Sequence, residues 1–144
     1  YVVSEEQRLD LYKRIALIDS EEGRDEMLDE LIDRFGEPSR SVQNLLFIAM
    51  LRMEAHKAFV TDIVQRPEEI VFTLFERAAI DASGIPAVIE KNKPYVTFTA
   101  DSKHPAFHYF YKKNSRIKPK DLPDLVMTFV KELQGLALNQ KSEN

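Results

Sequence analysis

The spacing of the apolar residues changes near residue 60, and that change decides the fold class. Up to Phe59 they recur at three and four, the repeat of a helix face. Leu11, Ile15 and Ile18 form one such stripe, behind Ser4 and Gln7, which have capping-box spacing. Met27, Leu28, Leu31, Ile32 and Phe35 form a second. Ser20 is its cap, and Glu21 and Glu22 sit in its first turn, where the helix dipole favours anions. Gly36 stands at the expected end and Pro38 blocks continuation. A third helix is expected from near Ser39 or Ser41 to about Phe59. It contains the run Leu45 to Leu51, apolar nearly all round, which predicts a place in the middle of a core.

Beyond residue 60 the runs are short, β-branched and aromatic. Ile70 to Phe75 reads as a strand. Residues 78–93 read as a helix with Gly84 and Pro86 at its start, where proline is tolerated. Tyr95 to Ala100 and Ala106 to Tyr111 read as two strands joined by a hairpin over Asp101 to Pro105. Asp121 caps a last helix whose stripe is Leu122, Leu125, Val126, Phe129, Leu133 and Leu136; Gly135 and the polar tail from Asn139 end it. The order predicts an α+β fold: N-terminal helices plus a small antiparallel sheet of about three strands backed by helices, in a single domain over residues 1–144.

Composition then excludes several function classes. The chain has no Cys, so thiol catalysis, a thiolate metal site and a disulfide scaffold are out. Its four glycines, Gly23, Gly36, Gly84 and Gly135, are far apart, so no phosphate-binding loop or dinucleotide fingerprint can be built. Nucleophile-elbow, zincin and calcium-loop patterns are missing too. No catalytic residue, cofactor site or metal site is therefore assigned, and no ATPase motif is seen. His104 and His108 are four apart, but on a strand that separates them by ~13 Å, too far for one ion. His56 has no identifiable partner. No apolar run approaches the ~20 residues of a membrane span. Charges begin at Glu5 with no apolar leader before them, and the first residue is Tyr1, which suggests a piece of a longer polypeptide.

The net charge of −4 is unevenly spread. Residues 1–40 carry six basic and twelve acidic side chains; residues 91–120 carry eight and one. Asp25, Glu26, Asp29, Glu30 and Asp33 lie on the polar side of a helix, where solvation is cheap. They read as a solvated or partner-facing surface, since catalytic carboxylates need unlike environments. Lys112, Lys113, Arg116, Lys118 and Lys120 follow a strand bearing Phe107, Tyr109, Phe110 and Tyr111. Aromatics among basics stack bases and track phosphates, which makes Lys112, Lys113, Arg116 and Lys118 candidate nucleic-acid contacts. The plainer reading is a core strand followed by a soluble loop.

Two stretches carry a family resemblance. Arg8-Leu9-Asp10-Leu11-Tyr12-Lys13-Arg14-Ile15-Ala16 is one. Glu30-Leu31-Ile32-Asp33-Arg34-Phe35-Gly36, with Pro38, Val42 and Asn44-Leu45-Leu46 after it, is the other. Together they resemble the C-terminal domain of the bacterial transcription-repair coupling factor (Mfd) family. The clear likeness covers residues 1–60, and Phe75 to Asp81 resembles a strand-to-helix passage there. Pro38 stands two residues after Gly36 where the family tends to have three. The resemblance implies that the chain is the regulatory end of a cytoplasmic, ATP-driven DNA translocase, with ATP and Mg in the parent's motor and not in this fragment. The parent displaces stalled RNA polymerase from DNA and recruits the excision-repair protein UvrA. Its C-terminal domain folds onto a UvrB-like N-terminal module of the same chain and hides the UvrA-binding surface. The fragment itself is expected to be a monomer, not an enzyme. Glu30, Asp33 and Arg34, spaced i, i+3, i+4 on one helix arc, are the expected clamp surface. The alternative is a nucleic-acid-binding accessory module using residues 107–120.

Overall fold

The structure is a computed structural model that describes residues 5–37, 39–76, 80–101 and 103–137, without the side chains of Arg8 and Phe35. The expected Ser4 cap, Pro38, the start of the 78–93 helix, Ser102 and the tail from Asn139 lie outside the described residues. The chain divides into two compact units, Tyr1–Met53 and Glu54–Asn144.

The first unit is helical: α1 is Glu5–Ala16, α2 is Glu21–Phe35, and α3 is Arg40–Lys57. Each stripe expected from the sequence supplies core residues. Leu11, Ile15 and Ile18 pack with Met27 and Leu31 and with Val42, Leu46 and Ala49. The α2 caps are as the sequence places them. Ser20 Oγ accepts from Gly23 N–H at 2.9 Å. Gly36 has φ +80°, a conformation that suits glycine, and its N–H donates to the Ile32 carbonyl at 2.9 Å. Arg52 donates to the Ala16 carbonyl at 2.6 Å and so satisfies an orphan group at the end of α1. Two details differ from expectation. Ile32 is exposed, because its position lies off the centre of the α2 stripe. Ile48 is 56% exposed, so α3 has an open flank instead of being enclosed all round. Phe59, at φ +60°, breaks the helical path just after α3.

The second unit is a sheet backed by helices. Its strands are β1 (Val60–Gln65), β2 (Ile70–Leu74), β3 (Val96–Thr99) and β4 (Ala106–Tyr109). They are antiparallel in the order β1-β2-β4-β3, four strands where about three were expected. The missed strand is β1. It lies at the edge, only Val60 is buried, and a bulge between Val60 and Asp62 breaks its register, so no alternation marks it in the sequence. Helix α4 (Ile85–Lys91) is shorter than expected, with Pro86 at its start; α5 is Leu122–Leu133.

Alternation along the strands splits the sheet into two faces. Phe72 and Phe107 are fully buried and meet Phe129 of α5 at ring distances of 4.8 and 5.8 Å. Tyr109 joins them at 5.4 Å, edge-on to Phe129. Thr97, Thr99 and His108 alternate with these residues, so they occupy the other face, and Thr97 and Thr99 are exposed.

Candidate functional site

Two polar surfaces stand out, one in each unit. In the helical unit, Glu30 and Arg34 lie one turn apart on α2. Arg14 of α1 grips the Glu30 carboxylate with both terminal nitrogens: Nη2 donates to Oε1 at 2.6 Å and Nη1 donates to Oε2. Arg34 Nη1 adds a longer bond to Oε2 at 3.3 Å. Bidentate geometry is the strong form of this contact. It holds the Glu30 carboxyl at about 2, well below the usual carboxylate range; Arg14 is the main cause and Arg34 a lesser one. The same pair raises Arg14 above its ordinary value.

Of the three residues expected to form one docking arc, Glu30 is the one tied inward, with its side chain 34% exposed. Asp33 and Arg34 are exposed on the same helix. The missed partner is Arg14, sixteen residues away. No local spacing signals a pair made across two helices. Beside the ion pair lies a cleft of about 240 Å³ lined by Arg14, Leu17, Asp19, Glu26, Met27 and Glu30. Leu17 at its rim is 79% exposed. The surface therefore combines a fixed ion pair, exposed carboxylates along α2, of which Asp25 pairs with Arg24 at 3.0 Å, and one projecting apolar group. That combination suits reversible docking of another polar surface.

In the sheet unit, the four aromatics expected beside the basic residues do not act together. Phe107 and Tyr109 face α5. Tyr111 is buried, and its hydroxyl donates to the Arg66 carbonyl at 2.6 Å, with the Pro67 carbonyl at 3.1 Å. Phe110 alone lies with the basic residues. Its ring stacks on His108 at 6.3 Å, and Lys113 Nζ lies 4.9 Å from its centroid. His108 is fixed from both sides: Glu69 Oε1 is 2.6 Å from Nδ1 and Thr99 Oγ1 is 2.8 Å from Nε2. Sequence reasoning missed Glu69 and Thr99, which only strand pairing brings to His108.

Lys112, Lys113, Arg116 and Lys118 are all exposed. The backbone that carries them is held: Arg116 N–H donates to Asn114 Oδ1 at 3.0 Å and Lys118 N–H to Asp121 Oδ2 at 2.9 Å. His104 lies exposed in the β3–β4 connection, and His56 is exposed near the end of α3. In the β3–β4 connection, backbone N–H groups of Lys103 and His104 hold the Asp101 carboxyl below its usual range. Among the described residues, no group of three or more His, Asp or Glu could hold a metal ion, and no helix is long and apolar enough to cross a membrane.

Comparison with known proteins shows the family. The TRCF domain family model matches residues 1–85. The chain is similar to the transcription-repair-coupling factor of Bacillus subtilis, 31% identical over 84 residues, 58% of this chain and 7% of that protein. The Escherichia coli protein of the same name is 26% identical over 131 residues, 91% of this chain and 11% of that protein. The chain thus spans only a small part of the curated relatives it matches. Among solved structures, the crystal structure of the C-terminal domain of transcription-repair coupling factor superposes with a TM-score of 0.74. It covers 94% of this chain and 83% of that one at 21% identity, a likeness of fold.

Proposed function

The chain belongs to the TRCF domain family, and from that premise we propose that it is the regulatory, protein-docking end of a transcription-repair coupling factor with a role in DNA repair. In this reading the parent is an ATP-dependent DNA translocase that engages RNA polymerase, and the chain contributes none of the motor. Its α2 surface docks on the parent's UvrB-like module and masks the surface that binds UvrA.

One observation carries the reading. Glu30 is locked by Arg14 while Asp33 and Arg34, one turn on, remain exposed on the same rigid helix. A docking surface gains specificity when its charged groups are held before the partner arrives, because little side-chain entropy is then lost on binding. The exposed acids Asp25, Glu26, Asp29 and Asp33 extend the same negative surface along α2. Such a surface selects a basic partner and releases it readily.

The test is UvrA binding by the full-length parent. Asp33→Arg is the cleanest variant, since Asp33 is exposed and its loss leaves the Arg14–Glu30 pair in place. It is expected to raise UvrA affinity at least several-fold. The triple variant Glu30→Ala, Asp33→Ala, Arg34→Ala is expected to raise it further. Unchanged UvrA affinity in both variants, with circular dichroism like the parent's, would refute the masking role.

A further inference from the structure

We propose that the sheet face opposite α5, at its β3–β4 side, binds single-stranded nucleic acid, with Phe110 as the base-stacking platform and Lys112, Lys113 and Arg116 as the phosphate contacts. This activity is separate from docking through α2 and does not depend on it.

The first argument is charge. Residues 102–120 contain six Lys or Arg, two His and no Asp or Glu. Among the described residues, the side chains of Lys112, Lys113, Arg116 and Lys118 form no ion pair. Their charge is available to a polyanion, and the counterions they hold are available for release. A chain with a net charge of −4 gathers such a segment against its own average.

The second argument is presentation. The Tyr111 hydroxyl pins the short 3-10 turn Tyr111–Lys113 to the loop between β1 and β2, so Lys112 and Lys113 project from a fixed base. Arg66, whose carbonyl accepts that bond, is itself exposed and basic. Phe110 N–H donates to the Tyr95 carbonyl at 2.7 Å, which holds the backbone of the aromatic residue as well.

The third argument is the ring itself. Phe110 has His108 stacked on it and Lys113 above it, and His108 is clamped by Glu69 and Thr99. The lysine is the movable member of this stack. A base displaces it at small loss, because an exposed cation–π contact is weaker than base–aromatic stacking. The displaced ammonium then serves a phosphate. Thr97 on β3 adds an exposed hydroxyl group beside the path. Of the nearby acids, Asp62 belongs to β1 and Glu68 and Glu69 to the loop before β2, with Glu69 occupied by His108; Asp101, in the β3–β4 connection, is held by the backbone N–H groups of Lys103 and His104. The strand therefore runs over the β3–β4 half. Stacking on a lone ring needs an unpaired base, which selects a single strand over a duplex.

The experiment uses the full 144-residue chain and fluorescence anisotropy with labelled dT20, a matching duplex, and heparin as competitor, between 50 and 200 mM KCl. Binding of dT20 is expected to exceed duplex binding. The variant Lys112→Ala, Lys113→Ala, Arg116→Ala is expected to bind at least tenfold more weakly. Its dependence of log K on log salt should be shallower by about 2, from three phosphate contacts at ~0.7 each. Phe110→Leu should lose about five- to tenfold with an unchanged salt slope, and its affinity for heparin should not move. No binding of dT20 at 50 mM overturns the proposal. So does tighter binding of the duplex, or Phe110→Leu behaving like the parent, since either marks a general polyanion surface. The triple variant changes only exposed side chains, so it keeps the test sharp if Phe110→Leu folds poorly.

Discussion

Truncating Phe129 tests whether α5 is what holds the sheet. Phe129 is 2% exposed and touches three other rings, Phe72, Phe107 and Tyr109. Burying a side chain of this size is worth ~1.5–3 kcal/mol. Each favourable ring pair adds ~0.5–1.5 kcal/mol beyond area. Phe129→Ala removes all of this and leaves a cavity that rigid strands close only partly. The expected cost is therefore at the upper end of the ~3–5 kcal/mol seen for buried aromatics. Phe129→Leu keeps most of the volume and loses the three ring pairs, so it should cost about 1.5–3 kcal/mol, the lower part of their summed range. Hydrogen exchange read by mass spectrometry gives both numbers locally. Central strands β2 and β4 are paired on both sides, so their amides report opening of the sheet. At ~1.4 kcal/mol per tenfold, Phe129→Ala should speed their exchange about a thousandfold, and Phe129→Leu about ten- to a hundredfold. Wild-type exchange in residues 70–74 and 106–109 of Phe129→Ala would refute the packing argument. Parent-like exchange in Phe129→Leu would refute the part assigned to the rings, and equal effects of Ala and Leu would refute the part assigned to volume.

Two further outcomes follow from the polar contacts. The Glu30 carboxyl is held at about 2 against an ordinary 4.5, so its contribution to stability is complete above pH ~4.5 and lost as pH falls from there towards 2. Urea midpoints followed at 222 nm should therefore drop through that window in the parent and flatten in Glu30→Gln; an unchanged acid limb would show that the ion pair does not stabilise the fold. Tyr111→Phe removes the donor to the Arg66 carbonyl without changing shape. It should cost about 1 kcal/mol, near the middle of the range for one hydrogen bond, because the exposed loop lets water take over the carbonyl; a loss below ~0.3 kcal/mol in urea unfolding would mean that the hydroxyl does not anchor the basic turn.

The helices were legible because each carries its own period and its own punctuation. Ser20 and Gly36 bracket α2 by local chemistry alone, and the Leu11, Ile15, Ile18 stripe marks the buried side of α1. Strand β1 was not legible, since Val60-Thr61-Asp62-Ile63-Val64-Gln65 is an edge whose partner, β2, supplies the reason for it to be extended. The sheet's aromatics divide by parity: Phe107 and Tyr109 go to one face and His108 and Phe110 to the other, as alternation requires. Tyr111 has the parity of Phe107 and Tyr109 and its ring is likewise buried, although the chain has by then turned into a 3-10 helix. The candidate docking arc was legible as an arc and not as a circuit. The i, i+3, i+4 spacing puts Glu30, Asp33 and Arg34 on one flank, but Arg14 reaches Glu30 only through the packing of α1 on α2.

That circuit changes how the charge pattern acts. The twelve acids of residues 1–40 are not one uniform field, because Glu30 is neutralised in place and Asp33 is not. A partner that docks on α2 therefore meets an oriented pattern, and pattern rather than net charge is what discriminates one basic surface from another. The basic residues between 112 and 118 differ in kind: their side chains form no ion pair among the described residues, so they offer charge without fixed pairing, which favours a ligand with repeating phosphates. The two surfaces are also of opposite sign, so a ligand suited to one is repelled by the other and cannot substitute there. Added salt weakens both, yet by different laws. The loss at the basic segment scales with the number of phosphates contacted, while at α2 it comes from ordinary screening of the exposed acids that face the partner.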